Sequence, residues 1–227
     1  MKKHIPNTLT CLNLFCGCMA VLMVLKGNYT AALYAVISSG IFDFFDGMVA
    51  RWLHVKSLIG KELDSLADMV SFGFLPGVVL YSLLQQATTN VYVPYIGFFV
   101  TVFSALRLAK FNIDERQTAD FIGVNTPMNT FLIISFPFIA QRYPEVILNP
   151  YFLVVFAIVS GLLLVSELRL FAMKLNSLAW SVNKFKYLFL LSSGLSLILF
   201  NILALPIVFV LYILFSVIHY RFEKKGE

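Results

Sequence analysis

Residues Asp43–Asp68 read DFFDGMVARWLHVKSLIGKELDSLAD, and no other part of the chain sets so many acids and small residues at helical spacing inside apolar surroundings. On a helix that advances about 100° per residue, Asp43, Asp46, Gly47 and Ala50 stand at i, i+3, i+4 and i+7 and share one stripe. Gly60, Asp64 and Asp68 stand at i, i+4 and i+8 and share another. Two helices facing each other through these stripes place four carboxylates around one small volume. The glycines and the alanine leave room for a bulky ligand to approach the backbone. Carboxylates so close together repel one another and need cations between them. A donor set made only of oxygen suits hard divalent ions, Mg2+, Mn2+ or Ca2+, rather than zinc.

The surroundings are those of a membrane protein. The chain has 227 residues, 59% of them hydrophobic and 13% charged, with a mean hydropathy of +0.85. Soluble domains carry about 25% charged residues. The composition therefore implies an integral membrane protein, all-α, built as a polytopic helical bundle. The first apolar run lacks the pattern of a cleaved signal peptide, a small-residue cleavage site followed by a soluble domain. The excess of base over acid, +5 in all, forms no basic stripe interleaved with aromatics, which argues against nucleic acid as a partner. Cys11, Cys16 and Cys18 share the first apolar run. The last two point to nearly opposite sides of a helix, so packing is their expected role.

About 20 apolar residues cross the hydrocarbon core, and charge-free runs mark the spans. The first is expected near Thr8–Leu25. Only 16 uncharged residues, Gly27 to Phe42, precede Asp43, so the second span must contain Asp43 and Asp46 and bring them to the membrane surface. Ionisable groups there are costly and point to function. A third span is expected over Gly60–Leu84 with a kink at Pro76, a fourth over Val91–Ala109, a fifth over Gly123–Ala140 and a sixth over Val146–Ser166. The 34 residues from Tyr187 to Tyr220 carry no Asp, Glu, Lys or Arg, too long a run for one crossing, and are divided near Asn201. The total is about eight transmembrane helices in a single domain, residues 1–227. With this count every Lys and Arg except Lys26 and Arg142 falls on one side, which the positive-inside rule makes cytoplasmic, together with the acidic stretch.

The spacing Asp43-x2-Asp46-Gly47-x2-Ala50-Arg51-x8-Gly60-x3-Asp64-x3-Asp68, eight specified residues over 26 positions, resembles the complete signature of the CDP-alcohol phosphotransferase family. The resemblance implies transfer of a phosphate-linked group from a CDP-activated donor to an alcohol, with CMP as leaving group. By it, Asp43, Asp46, Asp64 and Asp68 hold the divalent metal (Mg2+ or Mn2+, with Ca2+ able to occupy the site). Asp64 and Asp68 are the catalytic pair, with Asp68 doubling as general base. Gly47, Ala50 and Gly60 make room for the nucleotide, Asp46 borders it, and Arg51 holds a phosphate. It also implies a homodimer, and it suits the bacterial inner (cytoplasmic) membrane.

Further matches point to the serine-using branch of that family. They are Ile5–Gly17 (IPNTLTCLNLFCG), Asp64–Gly73 (DSLADMVSFG), Arg107–Asn112 (RLAKFN) and Gly123–Pro127, where Asn125 departs from the usual pattern. Val165–Lys174 is a weaker match. These imply CDP-diacylglycerol as donor and L-serine as acceptor. Asn7, Thr10 and Asn13, near one helix face, are candidates for binding the nucleotide or for packing the first span. Arg107, Lys110 and Arg169, at span ends, are candidates for the serine carboxylate or for lipid headgroups. Two other readings stay open. A phosphorylated acceptor such as glycerol 3-phosphate or an inositol phosphate calls for a denser basic cluster. A cation-coupled transporter calls for acids spread over the depth of several spans. His4, His54 and His219 have no partner at metal-ligand spacing.

Overall fold

The structure, a computed structural model, describes residues 4–55, 57–114, 121–172 and 180–223. Lys2, Lys3, Lys56, Arg116, Lys174, Lys224 and Lys225, part of the expected basic surface, lie outside these residues.

The apolar runs fold as helices throughout. Helix α1 (His4–Leu25) buries Pro6, Thr10, Asn13, Gly17, Ala20 and Val24, a seam recurring every three to four residues. Its most extensive packing is against α2 (Tyr29–Trp52), which buries Ala32, Val36, Ser39 and Asp46 along the facing stripe. Small residues in that seam let the two helices approach closely, as bilayer helices must when lipid offers no hydrophobic drive for association. The turn between them uses Gly27 at φ +72, and Asn28 then caps α2 by accepting from the Ala31 amide at 3.0 Å. As expected, Asp43 and Asp46 lie inside one long helix with the second apolar run, and the same helix includes Arg51.

After the loop around His54, which adopts φ 52, Ser57 caps α3 (Leu58–Asp68). Helical structure is then unbroken to Ala87, through a π-helical turn over Met69–Phe74 and α4 (Leu75–Ala87). Pro76 follows the π-turn by two residues inside this continuous stretch, so the helix departs from α-geometry directly before the proline at which a kink was expected. Packing accounts for that turn. A Cβ on Gly17 of α1 would come within 3.0 Å of the Ser71 Cα, so the π-turn rests directly on the α1 backbone.

The fourth span begins as a 3-10 segment, Val93–Phe98, and continues as α5 (Phe99–Ile113). It is followed by α6 (Thr126–Ala140), a short α7 (Pro144–Ile147), α8 (Pro150–Leu164), α9 (Trp180–Phe200) and α10 (Leu205–Glu223). Asn201, at φ 51, opens a 3-10 turn between α9 and α10, so the last apolar run divides where the sequence suggested. Among the described residues five helical stretches are long and apolar enough to cross a bilayer, and the last of them, Asn183–Arg221, is the pair α9–α10. With the shorter apolar helices α6 and α8 this makes eight apolar segments, an all-α bundle of an integral membrane protein. Among the described residues the one departure from helix and loop is a two-residue antiparallel pairing, β1 (Phe121–Ile122) with β2 (Arg169–Leu170), which ties the segment after α5 to the segment after α8. Residues such as Leu191, Ile198 and Tyr151 stay more than 70% exposed, as a lipid-facing surface requires.

The α1–π-turn contact is sensitive to volume. Gly17→Val is expected to destabilise the protein by about 1–3 kcal/mol, the usual range for overpacking. Gly194→Ala on α9, where a Cβ meets nothing within 4 Å, is expected to be neutral or mildly stabilising. Thermal unfolding of both variants in detergent measures the difference.

Candidate active site

Three elements meet at one end of the bundle: the first turns of α1, the last turns of α2, and α3 with the π-turn. Their convergence brings oxygen atoms of Asp43, Asp64 and Asp68 within 4.8 Å of one another. Each is partly buried, and the set holds no nitrogen or sulfur donor. Two carboxylates one turn apart on α3 thus face a third on α2 in the arrangement the two stripes implied. Like charges held at this separation in an apolar bundle fit a divalent cation with oxygen ligands.

The neighbours are arranged to hold the group. Asn13 Nδ2 donates to Asp68 Oδ1 at 3.2 Å, while Asn13 Oδ1 and its backbone carbonyl both accept from Ser39 Oγ. Ser71 Oγ donates to the same carbonyl at 3.2 Å. Asn13 is fully buried; Ser39 on α2 sets the orientation of its side-chain amide, Ser71 in the π-turn holds its backbone carbonyl, and the amide N–H is presented toward Asp68. Asp46 stands apart from the expected group of four. Its Oδ2 accepts from Thr10 Oγ1 at 2.6 Å, and it is not one of the three clustered carboxylates. A tertiary contact from α1 holds that side chain, which no spacing along α2 reveals.

Beside the carboxylates opens a cavity of about 480 Å³, lined by Asn7, Thr10, Asp46, Gly47, Ala50, Gly60 and Asp64 among others. Most of the small and polar residues singled out from sequence therefore share one wall. Gly60 lies against Asn7, whose Oδ1 would be 3.1 Å from a Cβ placed there. Arg51 is exposed and leans over Gly47, where it borders a neighbouring hollow with His54.

The three basic candidates separate. Arg107 is buried, whereas Lys110 and Arg169 are exposed, and neither of these two lines the cavity. Sequence reasoning passed over Ser39, Lys61 and Ser71. Ser39 continues the Asp43–Asp46 stripe one turn back and was open to detection by the same periodicity. Lys61 lines the cavity and donates to the Asn112 carbonyl at 2.8 Å, a contact between α3 and α5 that only the fold shows.

Comparison with known proteins agrees with this geometry. The CDP-alcohol phosphatidyltransferase family matches residues 3–159, which include every element of the site. The chain belongs to this family. Among its relatives is a CDP-diacylglycerol–serine O-phosphatidyltransferase of Helicobacter pylori, 31% identical over 222 residues, 96% of this chain and 91% of that protein. Proteins of the same name in Bacillus subtilis (34% over 140 residues, 60% of this chain and 76% of that one) and Methanocaldococcus jannaschii (32% over 165, 73% and 72%) are also similar.

The carboxylate group and its buried support make a binding prediction. Asp64→Asn and Asp68→Asn are expected to abolish high-affinity Mn2+ binding. Asn13→Leu, which leaves all three carboxylates in place, is expected to weaken it about 10–100-fold, as loss of a ligand's supporting hydrogen bond does. Mn2+ titration of the folded protein followed by electron paramagnetic resonance reads both.

Proposed function

We propose that the protein transfers a phosphatidyl group from CDP-diacylglycerol to the hydroxyl of L-serine, giving phosphatidylserine and CMP. The observation that carries this reading is the group Asp43, Asp64 and Asp68, of which Asp64 lines a cavity walled by small residues, in a chain matched almost end to end by a serine-using relative.

In this reading Asp43, Asp64 and Asp68, with Asp46 at the nucleotide side, hold Mg2+ or Mn2+. Bound there, the metal neutralises phosphoryl oxygens and stabilises the leaving phosphate. The chain's own residues do the rest. Gly47, Ala50 and Gly60 leave the width that a cytidine and ribose need, and Asn7 and Thr10 offer hydrogen bonds along the same wall. Thr10 also fixes Asp46 so that its second oxygen stays available. Arg51, on the exposed side, is placed to meet a phosphate. The serine Oγ attacks the phosphorus that carries the lipid, and the bond from that phosphorus to the CMP oxygen breaks. The hydroxyl proton passes to Asp68, whose orientation Asn13 sets. The acyl chains remain in the bilayer while the headgroup reaches the site between helices.

The chain is read as one domain, working as a homodimer in a bacterial cytoplasmic membrane with this end of the bundle facing the cytoplasm. The asymmetry of its basic residues supports that orientation.

The test is CMP release by the purified protein in mixed micelles with CDP-diacylglycerol and Mn2+. Release is expected with L-serine and not with glycerol 3-phosphate or an inositol phosphate. Asp68→Asn is expected to lower turnover by about 10²–10⁴-fold, the range for loss of a general base. Activity with a phosphorylated alcohol alone would overturn the acceptor assignment, and full turnover by Asp68→Asn would overturn the mechanism.

A further inference from the structure

The π-turn that follows Asp68 is completed from outside its own helix. In an α-helix the Phe72 carbonyl accepts from the amide four positions on. That position is Pro76, which has no N–H. Thr130 of α6 takes its place: its Oγ1 donates to the Phe72 carbonyl at 2.8 Å, and both residues are fully buried. The same oxygen lies 2.9 Å from the Thr126 carbonyl, one turn back on α6. A hydroxyl has one proton to give, and the Thr126 carbonyl already faces the helical amide of Thr130 itself. The Phe72 carbonyl has the greater need of it. Inside a bilayer, hydroxyl side chains serve carbonyls that a proline has freed, because water cannot.

The donor is itself held. Asn125 caps α6 by accepting from the Met128 amide at 2.8 Å, which sets where the helix begins. Next to Thr130, Asn129 Oδ1 accepts from Ser160 Oγ of α8 at 2.8 Å, with both side chains buried. Thr130 therefore reaches the π-turn from a helix anchored to α8. The receiving turn has little of its own to fix it. Such turns are rare, and Gly73 within it meets α5 by contact alone, a Cβ there coming within 3.1 Å of Ser104 Cβ. Hydrogen bonds grip it at two adjacent residues. Ser71 Oγ donates to the Asn13 carbonyl of α1, and the Phe72 carbonyl accepts from Thr130 of α6. Asn13 in turn donates to Asp68, the residue directly before the turn. A π-turn holds one residue more than an α-turn. Its loss would rotate Asp68 about the helix, relative to α4, by about the 100° that one residue subtends.

We infer that Thr130 is a positioning residue for Asp68. Its hydroxyl stands in for the amide that Pro76 lacks, and so holds the wide winding that turns Asp68 toward Asp43 and Asp64. Thr130 acts through the backbone, from a helix that contributes none of the three carboxylates. The inference rests on the proposed metal site and adds a determinant to it.

The experiment is Mn2+ titration of the full chain in detergent, followed by electron paramagnetic resonance. Thr130→Val keeps the shape of the side chain and removes the donor. It is expected to weaken Mn2+ binding about tenfold, the low end of the effect of losing a ligand's supporting hydrogen bond. Thr130→Ser, which keeps the hydroxyl, is expected to bind Mn2+ as the wild type does. The deciding comparison adds Pro76→Ala, which returns an amide to position 76. In that background the Phe72 carbonyl has a local donor, so Thr130→Val is expected to weaken Mn2+ binding no further, a non-additive cycle. An equal loss from Thr130→Val in both backgrounds assigns Thr130 to packing and overturns the inference. So does wild-type affinity in Thr130→Val, or a Thr130→Ser protein as impaired as Thr130→Val. A Thr130→Val protein that folds only together with Pro76→Ala supports the inference, and a double variant that also fails to fold overturns it. Absence of Mn2+ binding by the wild type removes the metal site, and the inference with it.

Discussion

Like charges held close together inside an apolar bundle are the constraint on which this molecule turns. Asp43, Asp64 and Asp68 lie within reach of one cation, and nothing about an isolated helix would keep them there. The packing of α1, α2 and α3 brings them together, and a chain of buried neutral hydrogen bonds orients Asp68 within the group and Asp46 beside it. Ser39 and Ser71 fix Asn13, and Asn13 meets Asp68. Thr10 takes up Asp46. Neutral amides and hydroxyls orient the acids without discharging them, as a lysine or arginine in the same place would. The site therefore keeps its demand for a cation while holding its shape.

The helix packing serves the same end. Close approach of α1 to α2 and to the π-turn depends on small residues in the seam, Gly17 above all. The wide turn over Met69–Phe74 directly follows Asp68. Irregular helical turns of this kind recur at functional sites, and here the turn brings Ser71 to the Asn13 carbonyl while the chain continues across the membrane.

Much of this was legible before any coordinates. Charge-free runs marked the spans, because a bilayer tolerates only closed helices and apolar faces. The division at Asn201 followed from length alone. The stripe containing Asp43 and the stripe containing Asp64 and Asp68 could be read as facing each other, because i, i+4 periodicity survives any tertiary arrangement. The parts that were hidden depend on contacts between segments far apart in sequence. Asp46 sits on the same stripe as Asp43, yet Thr10 draws it aside, from 36 residues away. The π-turn reflects the fit of Ser71 against Gly17, a contact that Pro76 alone does not reveal. The two-residue strands are too short to leave any alternation in the sequence. Arg107, Lys110 and Arg169 looked alike as residues at span ends, and burial alone told them apart.

The most direct measurement is an anomalous difference map at the manganese edge from crystals grown with Mn2+ and CDP. The account predicts a manganese peak bounded by Asp43, Asp64 and Asp68, with the diphosphate beside it and the cytidine along the Gly47–Ala50 wall. A peak bound elsewhere, or these three side chains turned away from the nucleotide, would contradict it.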